Sequence, residues 1–128
     1  MALDEVIRRD DWTIVAIVKS GRCQVAEFID GLADERDRKK VAALVNYVAA
    51  KGPPSHNKQM SNPLRDGLFE FKPTNQVRFL YFYDGPKRVV ITHAVRKKVM
   101  KMRREDIERG RQMRAEYSEA RRLGKGSF

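Results

Sequence analysis

The chain has 128 residues, 41% of them hydrophobic, enough for one core and too few for two comfortable domains. Its 27 Lys and Arg against 17 Asp and Glu give a formal charge of +10, which suits a polyanion such as nucleic acid no better than the plainer alternatives, a solubilising surface or an arm that meets an acidic protein. No run approaches the roughly 18 apolar residues of a membrane span, the opening MALDEVIRRDDW has no apolar signal region, and the single Cys23 excludes an internal disulfide, so a soluble cytoplasmic protein with no membrane partner is expected.

Residues 1–11 read as a charged N-terminal segment. From Trp12 to Val18 the chain is β-branched and almost continuously apolar, which suits a strand covered on both faces. Ser20-Gly21 breaks it. Val25, Phe28, Ile29 and Leu32 then recur at i, i+3, i+4 and i+7, one stripe of an amphipathic helix. Asp34 is placed to cap a second helix, whose stripe is Val41, Leu44, Val45 and Val48 and whose stop is Gly52-Pro53-Pro54. Two such helices form a hairpin that lays both stripes on a sheet.

Residues 54–63, PSHNKQMSNP, are a loop by composition and bring His56 and Lys58 to the start of a meander. Its strands are 68–72, 77–83 and 88–95, separated by Pro73-Thr74-Asn75 and Asp84-Gly85-Pro86. In the middle strand Val77, Phe79, Tyr81 and Tyr83 share one face, and Arg78, Leu80 and Phe82 the other. In the last strand alternation groups His93 with Val89, Ile91 and Val95. Between Arg96 and Lys125 twelve Lys or Arg stand against five acids, so +7 of the total charge falls there. Within it, 101–122 has helix-forming composition and a sparse apolar set, Ile107, Met113, Tyr117 and Ala120, that docks by one narrow stripe or waits for a partner. The division is therefore a domain over 12–98, a basic helical extension over 99–122 and a disordered tail over 123–128.

No phosphate-cradling glycine motif, serine nucleophile elbow or metal-ligand spacing is present, and neither a metal nor another cofactor is expected. RNA can be cut without an external nucleophile, since its 2′-hydroxyl attacks the adjacent phosphate once a base takes the proton and cations stabilise the developing charge. Basic side chains can do both. Each candidate has a plainer reading beside it: Arg78 can simply pair with Glu70 across the sheet, His93 can be a satisfied core residue, and Phe79 and Tyr81 fit a core better than a base-stacking platform.

The sequences LRDGLFEFK (64–72) and VRFLYFYDG (77–85), followed by a β-branched strand that closes on His93 and runs into Arg96, Lys97 and Lys98, resemble the RelE/ParE superfamily of toxins, and within it the phage-derived HigB-like branch. The resemblance extends over roughly 12–117 and rests on strand pattern and spaced cations in combination. It implies an α+β, RelE-like fold: an N-terminal strand and a two-helix hairpin packed on a mainly antiparallel four-stranded sheet, with a basic C-terminal helix. It also implies a toxin of a type II toxin–antitoxin module. The activity implied is a metal-free, ribosome-dependent messenger RNA endoribonuclease that inhibits translation and growth. Its partners would be mRNA, the ribosome and a cognate antitoxin, a helix-turn-helix DNA-binding protein in this branch. Carried onto this chain, the catalytic set is Arg78, His93, Arg96 and Lys97, and the RNA contacts are Lys58, Arg65, Lys72, Lys98 and Lys101. Two departures stand out: Glu70 and Lys72 occupy outward strand positions where RelE-like members often carry a basic residue, and the C-terminal tyrosine, Tyr117, lies farther along than in the family. The alternatives are a ParE-like toxin that inhibits DNA gyrase by contact and a non-enzymatic basic nucleic-acid-binding phage accessory protein.

Overall fold

The computed structural model describes residues 2–97 and 101–124. Lys98 and the end of the expected disordered tail, 125–128, lie outside them. Among the described residues no helix is long and apolar enough to cross a membrane.

Two strands open the chain, β1 (Asp4–Arg9) and β2 (Thr13–Ile17), and two helices follow, α1 (Gln24–Asp30) and α2 (Glu35–Lys51). Then come β3 (Ser61–Pro63), β4 (Phe69–Phe71), β5 (Val77–Tyr83), β6 (Arg88–Arg96) and α3 (Arg104–Arg122). The Asp34 side chain caps α2 by accepting from Arg36 N at 2.8 Å. Gly52 ends the helix at φ 84°, and a Cβ there would stand 2.6 Å from Trp12 Cε2, so glycine is required twice over.

The sheet corrects the expectation of four strands. It has six, in the order β1-β2-β6-β5-β4-β3, and it is mixed, because β2 runs parallel to β6 while the other neighbours are antiparallel. The two additional strands are its edges. Asp4-Glu5-Val6-Ile7-Arg8-Arg9 carries four charges in six residues because one side of an edge strand is open to water, and Ser61-Asn62-Pro63 places a proline where a missing N–H costs little. Neither shows the apolar alternation by which a strand is read.

Both sheet faces are covered. Val25, Leu32, Val41, Leu44 and Val48 from the α1–α2 region pack on Ile14, Ala16, Phe79, Val89 and Ile91. On the other face Met113 and Tyr117 of α3, with Ile107 beside them, pack on Val15, Ile17, Leu68, Phe82 and Val90. β2 is thus buried from both sides, as its continuous apolar sequence predicts. Gly110 lets α3 approach the sheet: a Cβ there would meet Leu68 Cδ1 at 3.2 Å, Leu80 Cδ2 at 3.3 Å and Thr92 Oγ1 at 3.4 Å.

Alternation along β6 fails at one point. Leu80 pairs with His93 but Tyr81 pairs with Ile91, so Thr92 is an extra residue in a β-bulge. The bulge moves His93 off the face of Val89 and Ile91, puts Ala94 there, and turns His93 with Leu80 toward α3.

Candidate functional site

The β4–β5 turn is held by Thr74, whose Oγ1 accepts from Gln76 N at 3.1 Å and from Val77 N at 2.9 Å. The turn fixes Arg78, whose guanidinium donates to the Thr74 carbonyl at 2.7 Å and the Val77 carbonyl at 3.1 Å. Arg78 Nε also lies 3.1 Å from Glu70 Oε1, with both side chains at least 95% buried. That contact is an ion pair without hydrogen-bond alignment, since neither atom has a hydrogen-bond partner. Glu70 stands opposite Leu80, so the pair is diagonal across the two strands. The plainer reading of Arg78 is therefore present, and it does not remove the residue from the site.

Lys97 completes a buried charged group. Its Nζ donates to the Lys101 carbonyl and lies 3.8 Å from Met102 Sδ. Burial pushes the Lys97 ammonium below its ordinary pKa, with Asp106 and Glu70 opposing the shift. Burial likewise pushes the Glu70 carboxyl up, and the neighbouring Lys72, Arg78 and Lys97 offset this only in part. His93 is fully buried; its Nδ1 meets Thr92 Oγ1 at 3.0 Å and its Nε2 has no partner among the described residues. Burial, aided by the Arg109 charge, brings its pKa down to about 4, so the imidazole is neutral at physiological pH.

An open groove at the β3–β4–β5 end of the sheet is lined by Lys40, Lys58, Gln59, Met60, Asn62, Lys72, Pro73, Thr74, Asn75 and Arg78. Four of these are cations and none is an acid. Asn57 organises its loop, accepting through Oδ1 from Gln59 N and through its carbonyl from Met60 N and Ser61 N, each at 3.0 Å. Lys72 Nζ donates to the Lys58 carbonyl at 3.1 Å, drawing two of the lysines together. Such a lining can hold successive phosphates, with Arg78 linking the open groove to the buried Glu70 and Lys97.

Among the described residues, those singled out from sequence are divided among four places. Lys58, Lys72 and Arg78 meet in the groove. Lys97 and His93 lie beneath α3 and the segment before it, with Lys101 exposed at the rim. Arg96 pairs in register with Val77, which turns it to the α2 side, where it lies 3.8 Å from Asp37 and 3.3 Å from Gln76 Oε1. Arg65 is exposed in the β3–β4 connection, and Lys98 lies outside the described residues. Sequence reasoning passed over Lys40, which reads as one of several cations on the first turns of a helix, and over the loop amides of Asn62 and Gln59. Only the groove's closure in space marks them.

Tyr117 has a different environment from that of a reacting group. Its hydroxyl donates to Asp4 Oδ2 and accepts from Arg88 Nη2, both at 2.9 Å, while Arg88 pairs with Asp4 at 2.6 Å and Arg121 pairs with Asp84. This network ties β1, β6 and α3 together. α3 itself is nearly balanced, six Arg against five acids, so the positive excess sits ahead of it in Arg96, Lys97, Lys98, Lys101 and Arg103. Among the described residues no group of three or more His, Cys, Asp or Glu side chains is placed to hold a metal ion.

No curated protein matches the chain. Among solved structures the fold is similar to a YoeB/ParE toxin from Agrobacterium tumefaciens, with a TM-score of 0.50 and 15% identity over 66% of this chain and 96% of that one. The family described as Phage derived protein Gp49-like (DUF891) matches residues 27–115, from within α1 to within α3. That match takes in more than half of the chain and both helical layers, and on it the chain belongs to the Gp49-like phage-derived family, a family of RelE/ParE-type toxins of toxin–antitoxin systems.

Proposed function

We propose that the protein is a HigB-like toxin that cleaves messenger RNA on the translating ribosome without a metal and is neutralised by a cognate helix-turn-helix antitoxin. The observation that carries the reading is the groove whose lining holds Lys40, Lys58, Lys72 and Arg78 and no acid. A single RNA strand docks by its phosphates on the exposed lysines, with Arg65 and Lys101 as outer contacts and Lys98 as a further RNA contact. Arg78 then stabilises charge on the phosphate, and Lys97 or His93 handles the protons: one leaves the 2′-hydroxyl as its oxygen attacks phosphorus, and one joins the departing 5′-oxygen. The products are a 2′,3′-cyclic phosphate and a 5′-hydroxyl. Arg96 acts from the far side of the strand end. Because Lys97 and His93 are buried, Met102 and its neighbours must shift when RNA binds.

The same burial favours a second reading, ParE-like inhibition of DNA gyrase by contact, which needs no accessible proton acceptor. The two are separated by mapping ribosome-bound messages in cells that express the wild type or the Lys58→Ala, Lys72→Ala double variant, both sites lying at the surface or half-buried. Cleavage by the wild type, with cyclic-phosphate ends formed in EDTA once ribosome integrity is controlled, and a loss of roughly a hundredfold in the variant support the ribonuclease. Growth arrest without message cleavage, or arrest relieved by a resistant gyrase, rejects it in favour of the contact inhibitor.

A further inference from the structure

β1 is one edge of the sheet, so a row of its backbone N–H and C=O groups has no strand to pair with. Its sequence puts two acids first and two cations last around Val6 and Ile7. Edge charges of one sign repel a second copy of the chain. This order does the reverse: laid antiparallel on itself, it opposes acids to cations.

Register decides whether that complementarity can be used. A two-fold axis perpendicular to a sheet keeps every side chain on its own face, so residues opposed across the axis must share a face. In an unbroken strand Glu5 and Arg8 point to opposite faces, as do Asp4 and Arg9. The bulge in β1 removes the obstacle. Asp4, Glu5 and Val6 pair with Ile17, Ala16 and Val15, whereas Arg8 and Arg9 pair with Ile14 and Thr13, leaving Ile7 as the extra residue. Glu5 and Arg8 consequently share the face of Ala16 and Ile14, and Asp4, Val6 and Arg9 share the other. Among the paired positions Val6 is the midpoint, and it is one of three large hydrophobic residues exposed among the described residues, at 53%. Arg8 and Arg9 are exposed and have no ion-pair partner among the described residues. Asp4 is already bonded to Arg88 and Tyr117, so the new attraction resides chiefly in Glu5 and Arg8.

We infer that β1 is a homodimer interface, in which two copies join through antiparallel β1 strands with a two-fold axis at Val6 and the two sheets continue into one. Val6 meets its own counterpart, Glu5 opposes Arg8 twice, and Arg9 extends each Asp4 network. The cationic groove lies at the opposite edge, so both copies keep it open.

The test is sedimentation of the full chain over a concentration series, for the wild type, Val6→Asp, Arg8→Glu and the Glu5→Arg, Arg8→Glu double swap. The substituted side chains are exposed, and matched thermal melting confirms that each variant folds. The wild type should dimerise with concentration, Val6→Asp should stay monomeric, Arg8→Glu should weaken association about tenfold or more by opposing like charges twice, and the double swap should restore it. A wild type that is monomeric throughout, a dimer indifferent to Arg8→Glu, or a double swap that fails to recover association would each overturn the inference.

Discussion

Beneath α1 and α2 the sheet presents the apolar side chains Ile14, Ala16, Val77, Phe79, Val89 and Ile91, and the polar contacts there, the Ser61–Tyr81 hydroxyl pair at 2.7 Å and the Gln24 amide on the Ala94 backbone at 2.8 Å, are mutually satisfied. Beneath α3 and the segment leading to it, the same strands bury Glu70, Arg78, Thr92 and His93, with Lys97 just past the end of β6, beside Val15, Phe82 and Val90. Burying such groups costs stability unless they find partners, and here His93 Nε2 finds none and the Glu70–Arg78 contact is off-axis. One face is organised for packing alone. The other retains unsatisfied polar groups next to a cationic groove, the pattern expected where a fold gives up stability for chemistry.

A charge on the apolar face should have the largest effect. Leu44→Asp buries a carboxylate among aliphatic side chains and should remove more than about 4 kcal/mol, leaving no cooperative thermal transition. A folded variant with an unchanged melting curve would contradict the helix packing. On the polar face, Glu70→Ala strands a buried guanidinium and should cost about 3–5 kcal/mol in urea unfolding, whereas Glu70→Ala combined with Arg78→Met should recover much of it. Equal losses in the single and double variants would show that the two side chains are not coupled.

His93 gives a smaller effect with a defined sign. Its unfolded imidazole takes a proton near pH 6.5 while the folded one resists until about 4, so its contribution is complete above pH 6.5 and is lost as pH falls through that window, by at most about 1.4 kcal/mol per unit. Glu70 acts in the opposite sense: with its folded pKa raised above 4.5, its contribution is present at low pH and lost as pH rises through the folded value. The slope of stability against pH in the wild type minus that in His93→Gln isolates the histidine. An identical slope in both would mean that His93 is hydrated in solution.

Both helical stripes, the Asp34 cap and the central strand were legible because a single period governs each of them. β1 and β3 were not, since edge strands need no alternation. The bulge at Thr92 was invisible for another reason: an inserted residue changes which face later side chains take without changing composition, and it moved His93 from the apolar face to the polar one. Of the candidate groove's lining, Lys58, Lys72 and Arg78 were legible as cations flanking strands, and Lys40 was not, because its place in the groove depends on how α2 crosses the sheet's end.

Whether the acid-free groove tracks RNA phosphates is read from binding of a single-stranded RNA across a range of salt concentrations to the wild type and to the Lys40→Ala, Lys58→Ala, Lys72→Ala triple variant. Each lysine that neutralises a phosphate should contribute about 0.7 to the slope of log affinity against log salt, so the slope should shrink by about 2 in the variant while thermal stability stays within about 0.5 kcal/mol. A weaker-binding variant with an unchanged salt slope, or one that binds as the wild type does, would contradict the account.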